Sequence, residues 1–193
     1  MRSTKMNKIL YINSTISKDS RTDALARYLL SHLQGDIEEI NLQKETNLHP
    51  LDQNALQQRE NGTYPTQYAK QFSEADTIVI AAPYYDLSFP SLLKIYIEMI
   101  CCQGMTFYYD QEGNCQNCCR CKKVYYVTTS GGRVYKPFGF EYIQGVFSYF
   151  FKTEDVELIC AQNLDVVEDP QQILQDAMHE IDRRFTNEDL VGQ

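Results

Sequence analysis

The sequence predicts a three-layer α/β fold, in which a doubly wound, five-stranded parallel sheet lies between two layers of helices. Five short apolar runs alternate with segments of helical periodicity, and this alternation is typical of a parallel sheet. Residues 75–94 are the most informative, because an unbroken apolar strand enters a proline–aromatic loop and a second proline then opens a helix. Right-handed crossovers leave few topologies for such a chain and favour the strand order 2-1-3-4-5.

These patterns place the individual elements. Strands are expected at residues 8–12, 37–41, 77–82, 124–128 and 156–162. Helices are expected at residues 22–33, 91–101, 138–151 and 170–185. The last helix is well marked, because Asp169 can cap it and Pro170 suits the first helical position. The polar segment 43–66 is expected to hold one or two short helices at the rim of the sheet.

Composition restricts the classes of function. The 193 residues are expected to form a single domain with an extension at residues 1–6. The net charge of −8 argues against a nucleic-acid surface and against binding to an anionic membrane. Apolar runs are far shorter than the roughly 20 residues of a membrane span, and no signal-peptide pattern is found. Seven crowded cysteines do not resemble a secreted disulfide framework, so the sequence favours a cytoplasmic protein.

The loop after the first strand is rich in hydroxyl groups and leads directly into a helix. It reads N-S-T-I-S-K-D-S-R-T over residues 13–22. Free amides at a helix N-terminus, the helix dipole, hydroxyl donors and one cation together suit a phosphate monoester. Without glycine, the loop matches neither the dinucleotide fingerprint nor the P-loop. The alternative is that Ser20 or Thr22 merely caps the helix.

Two further loops end at the same edge of the predicted sheet. Residues 83–87 follow the third strand with the sequence P-Y-Y-D-L, and residues 128–132 follow the fourth with T-T-S-G-G. Because ligands of such sheets bind at the carboxyl ends of the strands, all three loops are expected to converge on one crevice. Tyr84 and Tyr85 then offer a flat surface, and paired glycines allow close approach of a planar ligand. Ordinary packing of the tyrosines and a simple turn are the alternatives.

With these loops placed, the chain resembles the FMN-dependent NADH:azoreductase and NAD(P)H:quinone reductase family, which has a flavodoxin-like fold. The resemblance covers nearly the whole chain. The matching segments are the serine-rich first loop, A-A-P-Y-Y-D-L-S-F-P-S-L-L-K-I-Y-I-E, G-M-T-F-Y-Y-D-Q-E-G, V-T-T-S-G-G and F-E-Y-I-Q-G-V-F-S-Y-F-F-K-T-E-D-V-E-L-I-C-A. It implies reduction of quinones, azo compounds or similar flat acceptors by ping-pong hydride transfer, with NAD(P)H as co-substrate, in a homodimer whose flavins lie at the subunit interface.

The resemblance also implies which residues bind FMN. The phosphate would be held by Ser14, Ser20, Arg21 and Thr22. The isoalloxazine ring would lie along Pro83, Tyr84, Tyr85, Asp86 and Leu87, with Tyr84, Tyr85 and Asp86 at its reacting edge. Its pyrimidine edge would be supported by Thr129, Ser130, Gly131 and Gly132.

The chain departs from the family pattern at two of these positions. Asp86 stands where relatives often carry Asn, and a carboxylate near the flavin is expected to disfavour the anionic reduced form by charge repulsion. Ser130 stands where many relatives carry Arg ahead of the paired glycines. The sequence therefore leaves the choice between NADH and NADPH open.

A cysteine-rich insertion is expected at residues 113–123. Four of its residues are Cys115, Cys118, Cys119 and Cys121. Such thiols can bind zinc or an iron–sulfur cluster, although the C-x-x-C-C-x-C spacing is not that of a structural zinc site. Free or redox-active thiols are the alternative, and the neighbouring Arg and Lys residues are expected to lower the pKa of the thiols.

Two other functional classes are compatible with the same fold. A flavodoxin-like electron carrier would pass single electrons to a partner protein. A non-catalytic flavin- or metal-binding module would retain the fold and use the cysteine cluster. The aromatic loop at residues 83–87 and the dimer that the resemblance implies favour the enzyme.

Overall fold

The computed structural model describes residues 6–191, with side chains described up to residue 186. Apart from the exposed Met6, the extension expected at residues 1–6 lies outside this range. No helix in the described part of the chain is both long and apolar enough to cross a membrane.

Five parallel strands form the central sheet. They are β1 (Lys8–Asn13), β2 (Asp36–Asn41), β3 (Thr77–Ala81), β6 (Lys123–Thr129) and β7 (Val156–Ala161). Their order across the sheet is β2-β1-β3-β6-β7, which is the predicted order 2-1-3-4-5. β3 is buried along its whole length, which explains its unbroken apolar sequence. The predicted fold class is confirmed.

Helices cover both faces of the sheet. They are α1 (Arg21–Leu30), α2 (Gln53–Glu60), α3 (Gln67–Glu74), α4 (Ser91–Ile100), α5 (Phe140–Phe151) and α6 (Pro170–Val191). One face packs against α1 and α6 around Tyr11 and Leu29. The other packs against α3, α4 and α5 around Phe72, Tyr96 and Phe147. These two separate cores give the three layers.

Two elements differ from the sequence-based expectation. α2 is the rim helix expected in segment 43–66, but α3 was not expected. Its eight residues bury only Tyr68, Ala69 and Phe72, so its periodicity is too short to recognise. Residues 107–117 form an antiparallel hairpin of β4 (Phe107–Tyr109) and β5 (Cys115–Asn117), which takes in the start of the expected cysteine-rich insertion. Each strand of this hairpin has only three residues. The hairpin packs on α5 through the rings of Phe107 and Phe150, whose centroids lie 4.7 Å apart although the residues are distant in sequence.

An ion-pair network ties α6 to the edge of the sheet. Glu157 on β7 pairs with Lys123 on β6 and with Arg184 on α6, whose Nη1 lies 2.6 Å from Oε2. Burial opposes ionisation of Glu157, but hydrogen bonds from the two cations outweigh it and lower the pKa of this carboxyl. A lowered pKa means that the ionised form stabilises the folded state above the unfolded value of about 4.3.

We expect Glu157→Gln to lower the free energy of unfolding by about 1 kcal/mol at neutral pH, since the network is partly solvent-screened. The deficit should shrink as the pH falls below about 4, because wild-type Glu157 then becomes neutral too. Urea unfolding between pH 7 and pH 3 measures this. Glu180→Gln, which removes the more exposed partner of Arg184, is the control and should cost less. A stability deficit that does not change with pH would contradict stabilisation by the ionised form of Glu157.

Candidate functional site

The first loop is anchored to β3 at its beginning. The backbone amide and the hydroxyl of Ser14 both donate to the Ala81 carbonyl oxygen, at 3.0 and 2.7 Å. Asn13 Oδ1 accepts from the amide and the hydroxyl of Thr15, at 3.0 and 2.7 Å. Ser14 is fully buried and its hydroxyl proton is used inside the sheet. Its side chain therefore shapes the loop, and as a hydrogen-bond donor it is already committed.

The start of α1 offers free donors. Ser20 is the N-cap residue, and its oxygen accepts from the Asp23 amide at 3.2 Å while its own proton stays available. Among the described residues, the amides of Arg21 and Thr22 have no acceptor. Unpaired amides in the first turn of a helix carry a partial positive charge. This end of α1 is therefore suited to an anion.

A buried hydroxyl pair joins the first loop to the loop after β6. Thr22 Oγ1 and Thr129 Oγ1 lie 2.6 Å apart, and both residues are buried. One hydroxyl proton is used between them, which leaves the other for a further acceptor. A residue predicted to hold the phosphate thus touches one predicted to support the ring.

The loop after β3 is fixed at the same point. The Tyr84 amide donates to the Thr129 carbonyl oxygen at 3.0 Å, and the Tyr84 hydroxyl accepts from the Tyr135 amide at 3.0 Å. Pro83 is buried, whereas Tyr85 and Leu87 are 44% and 55% exposed. The segment 83–87, which we term the ring loop, therefore presents an apolar surface to solvent on a rigid base.

The tip of the ring loop is a strained two-residue turn. Tyr85 and Ser88 exchange two backbone hydrogen bonds of 2.9 and 2.8 Å. Between them, Asp86 and Leu87 have φ angles of 49° and 70°. Two consecutive positive φ angles match a type I′ turn, in which Asp and Asn are tolerated but Leu is costly. Such strain is typical of ligand-binding loops.

A fourth loop, not recognised in the sequence, completes this edge. After β7, the amides of Asn163, Leu164 and Asp165 donate to the carbonyl oxygens of residues 132, 130 and 131, at 3.0, 3.1 and 2.9 Å. The sequence indicates this loop only by its position after the last strand of a parallel sheet, because the loops after such strands meet at one edge.

The two predicted glycines have different roles. A Cβ on Gly131 would lie 2.0 Å from Asp165 Oδ2, so Gly131 makes room for this carboxylate. A Cβ on Gly132 would meet nothing within 4 Å. Only Gly132 is thus next to open space, where a ligand has access. Ser130 is buried beside them.

The cysteines of segment 113–123 are not arranged as a metal site in the part of the chain that the structure describes. Cys115 and Cys121 are buried, Cys119 is half-buried and Cys118 is exposed. In residues 6–191, no three or more His, Cys, Asp or Glu side chains are arranged to hold a metal ion. The Cys119 thiol instead donates to the Thr106 carbonyl oxygen at 3.3 Å. The hypothesis of a zinc or iron–sulfur site on these cysteines therefore gains no support.

The expected lowering of thiol pKa by neighbouring cations is wrong for two of these cysteines. Burial raises the pKa of Cys121 to about 12 and that of Cys119 well above its usual range. Two of the neighbouring cations are engaged elsewhere, since Arg120 pairs with Asp76 at 2.6 Å and Lys123 pairs with two carboxylates. These two thiols are therefore poor nucleophiles at neutral pH.

We expect Leu87→Gly to be more stable than Leu87→Ala by about 1 kcal/mol. Both variants remove the exposed side chain, but only glycine relieves the positive φ angle. Denaturant unfolding of the matched pair measures the difference. An alanine variant at least as stable as the glycine variant would show that the turn is not strained.

Comparison with known proteins agrees with the fold. A family model described as a flavodoxin-like fold matches residues 7–185. The FMN-dependent NADH:quinone oxidoreductase of Coprothermobacter proteolyticus is 33% identical over 92% of this chain and 98% of that protein. The one from Caldicellulosiruptor saccharolyticus is 35% identical over 93% of this chain and 100% of that protein.

Solved structures show the same architecture. An azoreductase from Bacillus anthracis str. Sterne superimposes with a TM-score of 0.79 at 19% identity, covering 94% of this chain and 100% of that one. An FMN-dependent NADH-azoreductase from Bacillus anthracis str. Ames Ancestor, in complex with FMN, gives 0.77 at 24% identity, covering 94% and 99%. The chain belongs to the flavodoxin-like family that contains the FMN-dependent NADH:quinone oxidoreductases.

Proposed function

We propose that this protein is an FMN-dependent NAD(P)H oxidoreductase that reduces quinones, azo compounds or similar flat acceptors. The named relatives support this reaction. The observation that carries it to this chain is the junction at Thr129, which joins the anion-binding start of α1 to the ring loop. A phosphate site and a flat apolar wall held side by side suit a phosphorylated planar cofactor.

The donor set fits FMN. Ser20, Arg21 and Thr22 would hold the phosphate through hydroxyls, a guanidinium and two free amides, while Ser14 shapes the loop beneath them. The ring would lie between residues 83–87 and residues 129–132. This division of roles follows from where the free donors and the apolar surface lie.

Bound FMN would supply the hydride chemistry, and the protein would position and tune it. The two tyrosines of the ring loop would orient flat molecules by stacking, and the exposed Leu87 would add apolar surface beside them. We infer a ping-pong order, in which the oxidised nicotinamide leaves before the acceptor binds on the same face. Protons can come from solvent at this open edge, so no side chain is needed as a general acid.

We further infer a homodimer in the cytoplasm. An exposed aromatic surface adjoins the ring loop, because Ser88 Oγ donates to the Phe138 carbonyl oxygen at 2.5 Å and the rings of Tyr135 and Phe138 lie 5.3 Å apart. Both rings are more than half exposed, as interface residues are in a single chain. The seven free cysteines favour a reducing compartment.

The purified protein should take up one equivalent of FMN and then oxidise NADH or NADPH with a quinone as acceptor. The absorption spectrum and steady-state kinetics with varied donor and acceptor measure this. Parallel double-reciprocal lines are expected for the ping-pong order. Protein that binds FMN, accumulates a stable semiquinone and turns over no quinone would instead be an electron carrier. Protein that binds no FMN would contradict the proposal.

Asp86→Asn should raise the reduction potential of the bound flavin. The exposed carboxylate repels the anionic reduced cofactor by about 1 kcal/mol at an exposed edge, or about 20 mV for two electrons. Asn also tolerates the positive φ angle, so the turn should persist. Glu141→Gln, which removes a charge from α5, is the control. A potential that is unchanged or lower in Asp86→Asn, by redox titration, would contradict a role for this charge.

A further inference from the structure

One carboxylate lies at the mouth of the proposed phosphate site. Arg21 Nη2 and Asp165 Oδ1 are 2.9 Å apart, and the side chains are 40% and 65% exposed. Arg21 is the cation assigned to the phosphate, and Asp165 comes from the loop after β7, 144 positions away in the chain. The pair therefore bridges two loops that flank the same site.

The backbone holds Asp165 in this place. Its amide donates to the Gly131 carbonyl oxygen at 2.9 Å, and the Leu164 amide donates to that of Ser130 at 3.1 Å. Its Oδ2 lies where any side chain on Gly131 would have to be. Two backbone hydrogen bonds fix the Asp165 backbone beside this loop, and the carboxylate occupies space that Gly131 leaves free.

The consequence for binding is electrostatic. Arg21 is the only full positive charge among the residues assigned to the phosphate, and Asp165 neutralises it. A phosphate dianion must displace this carboxylate or bind beside it, and both reduce the gain from Arg21. The unphosphorylated flavin meets no such opposition, because it carries no charge at this end.

We propose that Asp165 is a specificity-determining residue of the cofactor site: by occupying Arg21, it weakens the preference for FMN over riboflavin. This inference rests on the proposed function, since it concerns the same site. The protein as folded would then bind FMN mainly through hydroxyls and amides, and release it more readily than a site with a free arginine.

The test compares two flavins on four proteins freed of cofactor. FMN and riboflavin are titrated into wild type, Asp165→Asn, Arg21→Gln and the double variant, and dissociation constants are read from flavin fluorescence. Asp165→Asn should raise the ratio of the riboflavin to the FMN dissociation constant about two- to fivefold. The increase should diminish with added salt. Arg21→Gln should lower the ratio, and the increase caused by Asp165→Asn should be smaller in that background, because only the direct repulsion between carboxylate and phosphate is then removed.

Riboflavin binding also reports whether each variant is folded. Glu168→Gln removes an exposed charge three residues further on and should leave the ratio unchanged. An unchanged ratio in Asp165→Asn overturns the proposal. An equal loss of affinity for both flavins also overturns it, because Asp165 would then act on the part of the cofactor that both flavins share. An equal gain in the Arg21→Gln background also overturns it. Failure of wild type to bind either flavin would overturn the proposed function as well.

Discussion

The contacts at Thr129 organise the edge of the sheet that carries the candidate site. A parallel sheet brings the ends of its strands to one edge, but it does not fix the loops that follow them. Here the Thr129 carbonyl oxygen accepts from the Tyr84 amide, and its hydroxyl pairs with that of Thr22. Both contacts are short and involve buried or half-buried groups, where an unsatisfied partner would be costly. Loops from three strands are thereby held in one arrangement.

Among the residues assigned to the cofactor, this edge of the sheet carries little unpaired positive charge. The start of α1 provides neutral donors whose orientation is fixed by the helix, and the single arginine among them is already paired with Asp165. A second carboxylate, Asp86, stands at the tip of the ring loop. The candidate site thus combines free amides with nearby negative charge, an arrangement that suits a cofactor held by hydrogen bonds more than by net attraction.

Much of the fold could be predicted from sequence, because the buried central strands are short, unbroken apolar runs. Thr77–Ala81 is buried on both faces, and a short apolar run of this kind between turn residues is typical of a central parallel strand. The hairpin at residues 107–117 and helix α3 were missed, because their short elements depend on long-range packing such as that of Phe107 on Phe150. The local sequence pattern does not reveal contacts between residues that are distant in the chain.

For the candidate site, the sequence predicted which loops take part but not the role of each side chain. Positions after strands identify the loops, but hydrogen bonds decide what each side chain can do. Ser14 has the right residue type for a phosphate donor, yet its proton is used by Ala81. Gly131 suited a close ligand, yet it accommodates Asp165. The cations near Cys119 and Cys121 suggested reactive thiols, but burial dominates there.

The most direct measurement is an experimental structure of the protein with FMN bound. We expect the phosphate at the amides of Arg21 and Thr22, with the ring between the ring loop and Gly132. A flavin bound at any other edge of the sheet, or a phosphate without contact to the first turn of α1, would contradict it.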